Sequence, residues 1–167
     1  FPYLDNVQVD IQLPGTVVIK VRPATERFTC MYSGGWVILS DSLKILRSDI
    51  SQPDGLTVLS CTLQQDFSPE PGQILVPVTY NSLLEGEEAS METAQATASQ
   101  VLMEMLEEMD AEGLTDGVTA LDIKDLSNLS FTYQNRIQVQ LGNSNRLDYK
   151  IRLASVAILA LTVVSQL

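Results

Sequence analysis

The chain has no histidine among its 167 residues. That removes the side chain most often used as a general base near neutral pH, and with it the commonest metal ligand. Ser-His and Cys-His nucleophile pairs cannot be assembled. Cysteine is nearly absent as well, at Cys30 and Cys61 only. Two cysteines are too few for a disulfide framework, and without histidine they cannot complete a four-ligand structural zinc site. One bridge between Cys30 and Cys61 is open to the sequence, with two buried thiols the favoured alternative. Basic residues are few, 10 against 21 acidic ones, for a formal charge of −11. Such a surface repels phosphate backbones and offers no polybasic patch to anionic lipid, so nucleic acid is not expected as a partner. The acidity reads mainly as solubility. Long apolar runs are also missing. The longest, Ala154 to Val164, is interrupted by Ser155 and Thr162 and falls short of the ~20 residues that cross a bilayer. It reads as a buried C-terminal helix. Phe1 to Asn6 has neither the basic nor the apolar region of a signal peptide, so any anchor is expected outside this sequence.

What is present is a composition of 45% apolar and 19% charged residues, that of a folded chain long enough to bury a core. Val7, Val9 and Ile11 alternate with polar residues, Pro14-Gly15 marks a turn, and Thr16 to Arg22 is β-branched, which predicts a hairpin. Phe28 to Tyr32 and Trp36 to Leu39 flank Ser33-Gly34-Gly35, a second hairpin signal. Short strands are expected at Leu43 to Leu46 and Leu56 to Leu63, and an extended piece at Ile74 to Val78, confined to an edge by Pro77. Ser90 to Glu112 carries an apolar helical stripe of Ala94, Ala98, Val101, Leu102, Met105, Leu106 and Met109. Ser90 is placed to cap its start and Gly113 its end. That stripe suits packing on the chain's own sheet better than a partner helix. Val118 to Ile123 reads as a strand, and Leu129 to Tyr133 with Ile137 to Leu141 as a hairpin around Gln134-Asn135-Arg136. After a loop at Gly142 to Asn145, with Asn145 as helix cap, Leu147 to Val164 reads as the last helix. The expected fold is α+β, an antiparallel sheet with helices packed on one face.

Few residues suggest chemistry. Asp110 to Gly117 has a faint look of a calcium loop but lacks the ligand spacing of an EF-hand, and reads as a helix end and polar turn. Asn143, Asn145 and Asp148 offer oxygens that helix capping accounts for. Glu85-Glu87-Glu88 and Glu104-Glu107-Glu108 read as solvated charge. Lys150 would act as a base only if buried. Phosphate-binding and nucleophile-elbow glycine motifs are lacking. No catalytic set, cofactor or metal is expected, so the chain reads as a binding module and not an enzyme.

An ordered series of segments carries a family resemblance. Arg136-Ile137-Gln138-Val139-Gln140-Leu141-Gly142, followed by Leu147-Asp148-Tyr149-Lys150-Ile151-Arg152-Leu153, resembles the C-terminal half of the FtsQ/DivIB β-domain, a strand ending in Leu-Gly, a polar loop and a helix carrying Lys. Leu121-Asp122-Ile123 and Glu112-Gly113-Leu114 resemble the strand and helix exit before it. Val9 with Leu13-Pro14-Gly15-Thr16-Val17-Val18-Ile19-Lys20-Val21 is similar to the last hairpin of a POTRA module. Two positions depart from the family: Arg22-Pro23 stands where Glu-Arg is usual, and Asp41-Ser42-Leu43-Lys44 stands for a D-x-x-G turn. The resemblance implies residues 1–26 as the C-terminal hairpin of a truncated POTRA module, and 27–167 as a β-domain without its final strand. It further implies a non-catalytic scaffold of bacterial cell division and septum formation. Such a scaffold is anchored by a single membrane span outside this sequence, with this domain on the extracytoplasmic side. The implied partners are FtsB/DivIC-type and FtsL-type coiled-coil proteins, bound by strand addition along a sheet edge. The Arg136 to Leu141 strand is then expected as an accessible edge, with Arg136, Gln138, Gln140, Tyr149 and Lys150 as partner-binding residues. The rival readings are a secreted or surface interaction domain with no division role and a hydrolase built on acidic residues, which needs a pocket of converging carboxylates.

Overall fold

The structure, a computed structural model, describes residues 1–78 and 91–164, with the backbone alone for 91–97. Nine strands, mostly antiparallel, and two α-helices make up a mixed α+β fold among these residues. The chain divides into two compact units, Phe1–Leu56 with Asp66–Leu75, and Thr57–Gln65 with Val76–Leu167. The hairpin expected as a piece of its own, residues 1–26, clusters with the strands that follow it.

In the first unit, β1 (Leu4–Gln12) and β2 (Thr16–Pro23) form an antiparallel ribbon whose turn carries a cis Leu13–Pro14 bond. Period-two alternation places Val7 opposite Val21, Val9 opposite Ile19 and Ile11 opposite Val17 on one face. All six are exposed. The strands β3 (Phe28–Tyr32), β4 (Gly35–Leu39) and β5 (Ile45–Asp49) form an antiparallel meander in the order β5-β4-β3. Phe28, Val37, Ile38, Leu39, Ile45 and Leu46 are buried there. The strand expected at Leu43 to Leu46 starts two residues later. Leu43 lies at φ 62°, donates its N–H to Ser40 O at 3.1 Å and buries its side chain. The turn therefore claims a residue whose apolar type reads as strand. The ribbon's base is tied by polar bonds: Lys44 Nζ to Leu4 O at 2.6 Å, Ser42 Oγ to Asp5 Oδ1 at 3.0 Å, and Tyr3 Oη to Glu26 Oε1 at 2.8 Å.

The second unit holds β6 (Thr57–Ser60), α1 (Met91–Ala111), β7 (Val118–Asp122), β8 (Leu129–Tyr133), β9 (Ile137–Gly142) and α2 (Leu147–Val164), with strand order β6-β7-β8-β9. One feature corrects the antiparallel expectation: β6 and β7 are parallel, Val58 opposite Ala120 and Leu59 opposite Leu121. A parallel pair needs a long crossover, and the connection carrying α1 supplies it. Ala98, Val101, Leu102, Met105 and Met109 of α1 are buried, as are Leu147, Ile151, Ala154 and Ile158 of α2, and the two helices pack together. Glu104 and Glu107 lie exposed on α1's polar side. At the exit of α1, Gly113 takes φ 68°, with Leu114 N donating to Met109 O and Gly113 N to Asp110 O. This pattern closes the helix and satisfies two of its last carbonyls. Asp110, in the run that looks faintly like a calcium loop, accepts a hydrogen bond from the Thr115 hydroxyl at 3.4 Å, a helix end and turn. Ser90 and Glu85-Glu87-Glu88 lie outside the described residues, and Ala94 falls where only backbone is described. The bridge weighed for Cys30 and Cys61 does not form. Both are buried thiols, each a small apolar group within its own unit.

Candidate partner-binding edge

The edge begins with the β8–β9 hairpin. Gln134 and Asn135 both take positive φ, 51° and 54°, the left-handed pair that matches the twist of a tight hairpin. Arg136 N donates to Tyr133 O at 3.1 Å, and the turn is held from behind by Gln134 N to Gly117 O at 2.7 Å and Asn135 N to Thr119 Oγ1 at 3.2 Å. The register follows as Tyr133 opposite Ile137, Thr132 opposite Gln138, Phe131 opposite Val139 and Ser130 opposite Gln140. Alternation puts Phe131 and Leu141 on the buried face and leaves Gln138 and Gln140 exposed on the other.

β9 stands last in its sheet and pairs with β8 alone among the described residues. Its free side presents every second N–H and C=O to solvent. Edge strands in monomeric proteins are usually blunted by lysine, proline, inward charge or a covering loop. β9, Ile-Gln-Val-Gln-Leu-Gly, has no charge and no proline. The outer strand of the first unit behaves differently. On β5, Ile45 N donates to Gln73 O and accepts from Gly72 N through its carbonyl, both at 2.7 Å. A returning segment thus covers the start of β5, and Arg47 and Asp49 charge the rest.

The remaining candidates separate into two ends of the strand. Arg136 is exposed beside the turn, before β9. Tyr149 and Lys150 lie past the other end, on the first turn of α2, so they do not converge with Arg136 on one spot. Tyr149 is half-exposed, its ring faced by the Arg146 guanidinium at 4.8 Å from the centroid. Lys150 is committed inside the chain: Nζ donates to both Asn143 O and Asn143 Oδ1 at 2.8 Å. The asparagine that organises this corner is Asn143, which also accepts from Asn145 N at 3.2 Å. Asn145, expected to cap α2, makes no side-chain bond of that kind among the described residues. The helix starts at Leu147, after Arg146 at φ 54°, whose carbonyl accepts from Lys150 N. The Asn-Ser-Asn spacing, an asparagine two residues ahead of another polar residue, was the available signal for that turn.

Among the described residues, carboxylates with shifted protonation meet in the first unit. Arg47 Nε and Nη2 fork onto Glu26 at 2.7 and 3.1 Å, and Nη1 reaches Asp49 at 3.0 Å. The hydrogen bond from Arg47 holds the Glu26 carboxyl below its ordinary range, against burial, and Arg47 lowers Asp49 in the same way. Tyr3 is pushed up by burial and by its bond to Glu26. This is the reverse of the raised carboxyl that a general acid requires. The cluster is a polar clasp between the ribbon and β5. No protein-family model matches the chain, and no curated protein matches it.

Proposed function

We propose that the chain is a non-catalytic binding module that takes an extended partner segment as an additional strand along the free edge of β9. The carrying observation is an uncharged, proline-free strand that is hydrogen-bonded on one side only among the described residues. Main-chain bonds along such an edge supply affinity, and side chains flanking it supply choice. Gln138 and Gln140 line the exposed face, Arg136 marks the turn end, and the Arg146–Tyr149 pair marks the helix end. An acidic group on the partner suits the Arg136 end. The resemblance of β7, β9 and α2 to the FtsQ/DivIB β-domain, and of the β1–β2 ribbon to the end of a POTRA module, supports the specific reading. On that reading the module scaffolds the division machinery outside the cytoplasm and binds FtsB/DivIC-type and FtsL-type proteins. Among the described residues no helix is long and apolar enough to cross a membrane.

Two adjacent proline substitutions test the edge. In a ladder, neighbouring residues point their N–H groups to opposite sides. One of Gln138→Pro and Val139→Pro therefore removes a bond to β8, while the other removes only an outward donor. The outward variant keeps its stability, as edge proline does, and loses binding to the purified soluble part of an FtsB/DivIC-type protein. The inward variant loses stability. If both variants bind as the parent does, strand addition at β9 is wrong.

A further inference from the structure

Helix α2 carries two apolar seams. Leu147, Ile151, Ala154 and Ile158, in steps of four, three and four, are buried. Tyr149, Leu153, Val156, Ala160 and Val163 repeat steps of four, three, four and three, offset by two residues, and all are exposed, Leu153 by 57%, Val156 by 60% and Val163 by 64%. Two residues turn a helix by about 200°, so the second seam faces away from the first. Four-three spacing is that of a helix–helix seam, and a helix apolar on all sides is normally covered on all sides. From Leu153 to Val164 no residue is charged.

The geometry points to a second copy of this chain as the cover, with the two α2 helices packed antiparallel through the outward seams. Charge decides the partner and its direction. Two exposed cations, Arg146 and Arg152, flank the single exposed acid Asp148 at the start of the helix, and its last described turn has no basic residue. Helix C-termini carry partial negative charge that favours cations. Antiparallel pairing brings each copy's exposed arginines towards the last described turn of the other, whereas parallel pairing sets like charges side by side. Val156 is the midpoint of the seam between Tyr149 and Val163, so it meets its own copy at the two-fold axis. Burying the seam with the flanking Leu159 removes on the order of 1,000 Å² in total, the floor for a specific interface and the size of a weak one. Two-fold pairs of this kind are the commonest assemblies. The pairing shares Arg146 and Tyr149 with the helix end of the proposed β9 edge, whereas Val156 and Val163 lie outside that edge, so the variants at Val156 test the pairing apart from strand addition.

Cysteine placement under mild oxidation tests the pairing, since Cys30 and Cys61 are buried and the parent protein supplies the background. Val156→Cys is expected to cross-link to itself. Tyr149→Cys and Val163→Cys are expected to cross-link to each other when mixed, and neither to itself. Val156→Glu, an exposed substitution that leaves the circular dichroism unchanged, is expected to weaken the dimer by about tenfold or more in light scattering across a dilution series. A monomeric mass for the parent throughout that series overturns the proposal. So does self-cross-linking of Tyr149→Cys, which marks a parallel pair, or transfer of the parent to zwitterionic lipid vesicles, which marks α2 as a lipid-binding face.

Discussion

At the residue scale, the shifted protonation equilibria of Tyr3, Glu26 and Asp49 meet at one arginine. Arg47 is held charged by Glu26 and Asp49, and Glu26 also accepts from Tyr3. The carboxyl of Glu26 is lowered in the folded state, so its contribution to stability is present above the ordinary glutamate value of ~4.3 and is lost as pH falls through the lower folded value. Arg47 is 40% and Glu26 29% exposed at the side chain, which screens the pair and limits its worth. Glu26→Gln is expected to cost about 1 kcal/mol at neutral pH. It should also flatten the acid limb of stability below the ordinary glutamate value of ~4.3, measured by urea unfolding at falling pH. An unchanged acid limb shows that the clasp contributes nothing. Little of this was legible beforehand, because Glu26, Arg47 and Tyr3 are far apart in sequence and no local pattern joins them. Asn143 was missed for a related reason. Its role depends on Lys150 returning across the loop, while Asn145 had the better local position for a cap.

At the element scale, the sequence pattern read the second unit best. The bounds of β8 match the expected range residue for residue, α2 starts at Leu147 as expected, and β9 extends one residue further, to Gly142. Each of them follows turn residues and has a clear period. β5 slipped because Leu43 is apolar yet sits in a turn at positive φ. The parallel pairing of β6 with β7 could not be read from either strand alone, since pairing direction lives in the connection. The β3–β4 turn offers a sharp test of how elements constrain residues. A Cβ at Gly35, where φ is 139°, would overlap the backbone carbonyl of Asp49 on β5, which cannot swing away. A Cβ at Gly34 meets only the Tyr32 ring, which can. Gly35→Ala is expected to cost about 2–3 kcal/mol in urea unfolding, and Gly34→Ala distinctly less. Equal costs would show that β5 does not close on this turn as described.

For the whole molecule, the proposal of strand addition rests on β9, which pairs on one side only among the described residues. The order of elements from β1 to α2 was legible in outline. The division into units after Leu56 was not, because it depends on residues 66–75 returning to β5, a long-range pairing with no local signature. Hydrogen exchange read amide by amide, with and without the soluble part of an FtsB/DivIC-type protein, tests the central claim most directly. Strand addition predicts new protection on alternate amides from Ile137 to Leu141, those whose N–H groups face away from β8, with the amides bonded to β8 already slow in the free protein. Protection that appears only elsewhere in the chain, or no change at β9 when the partner is in excess, contradicts the account.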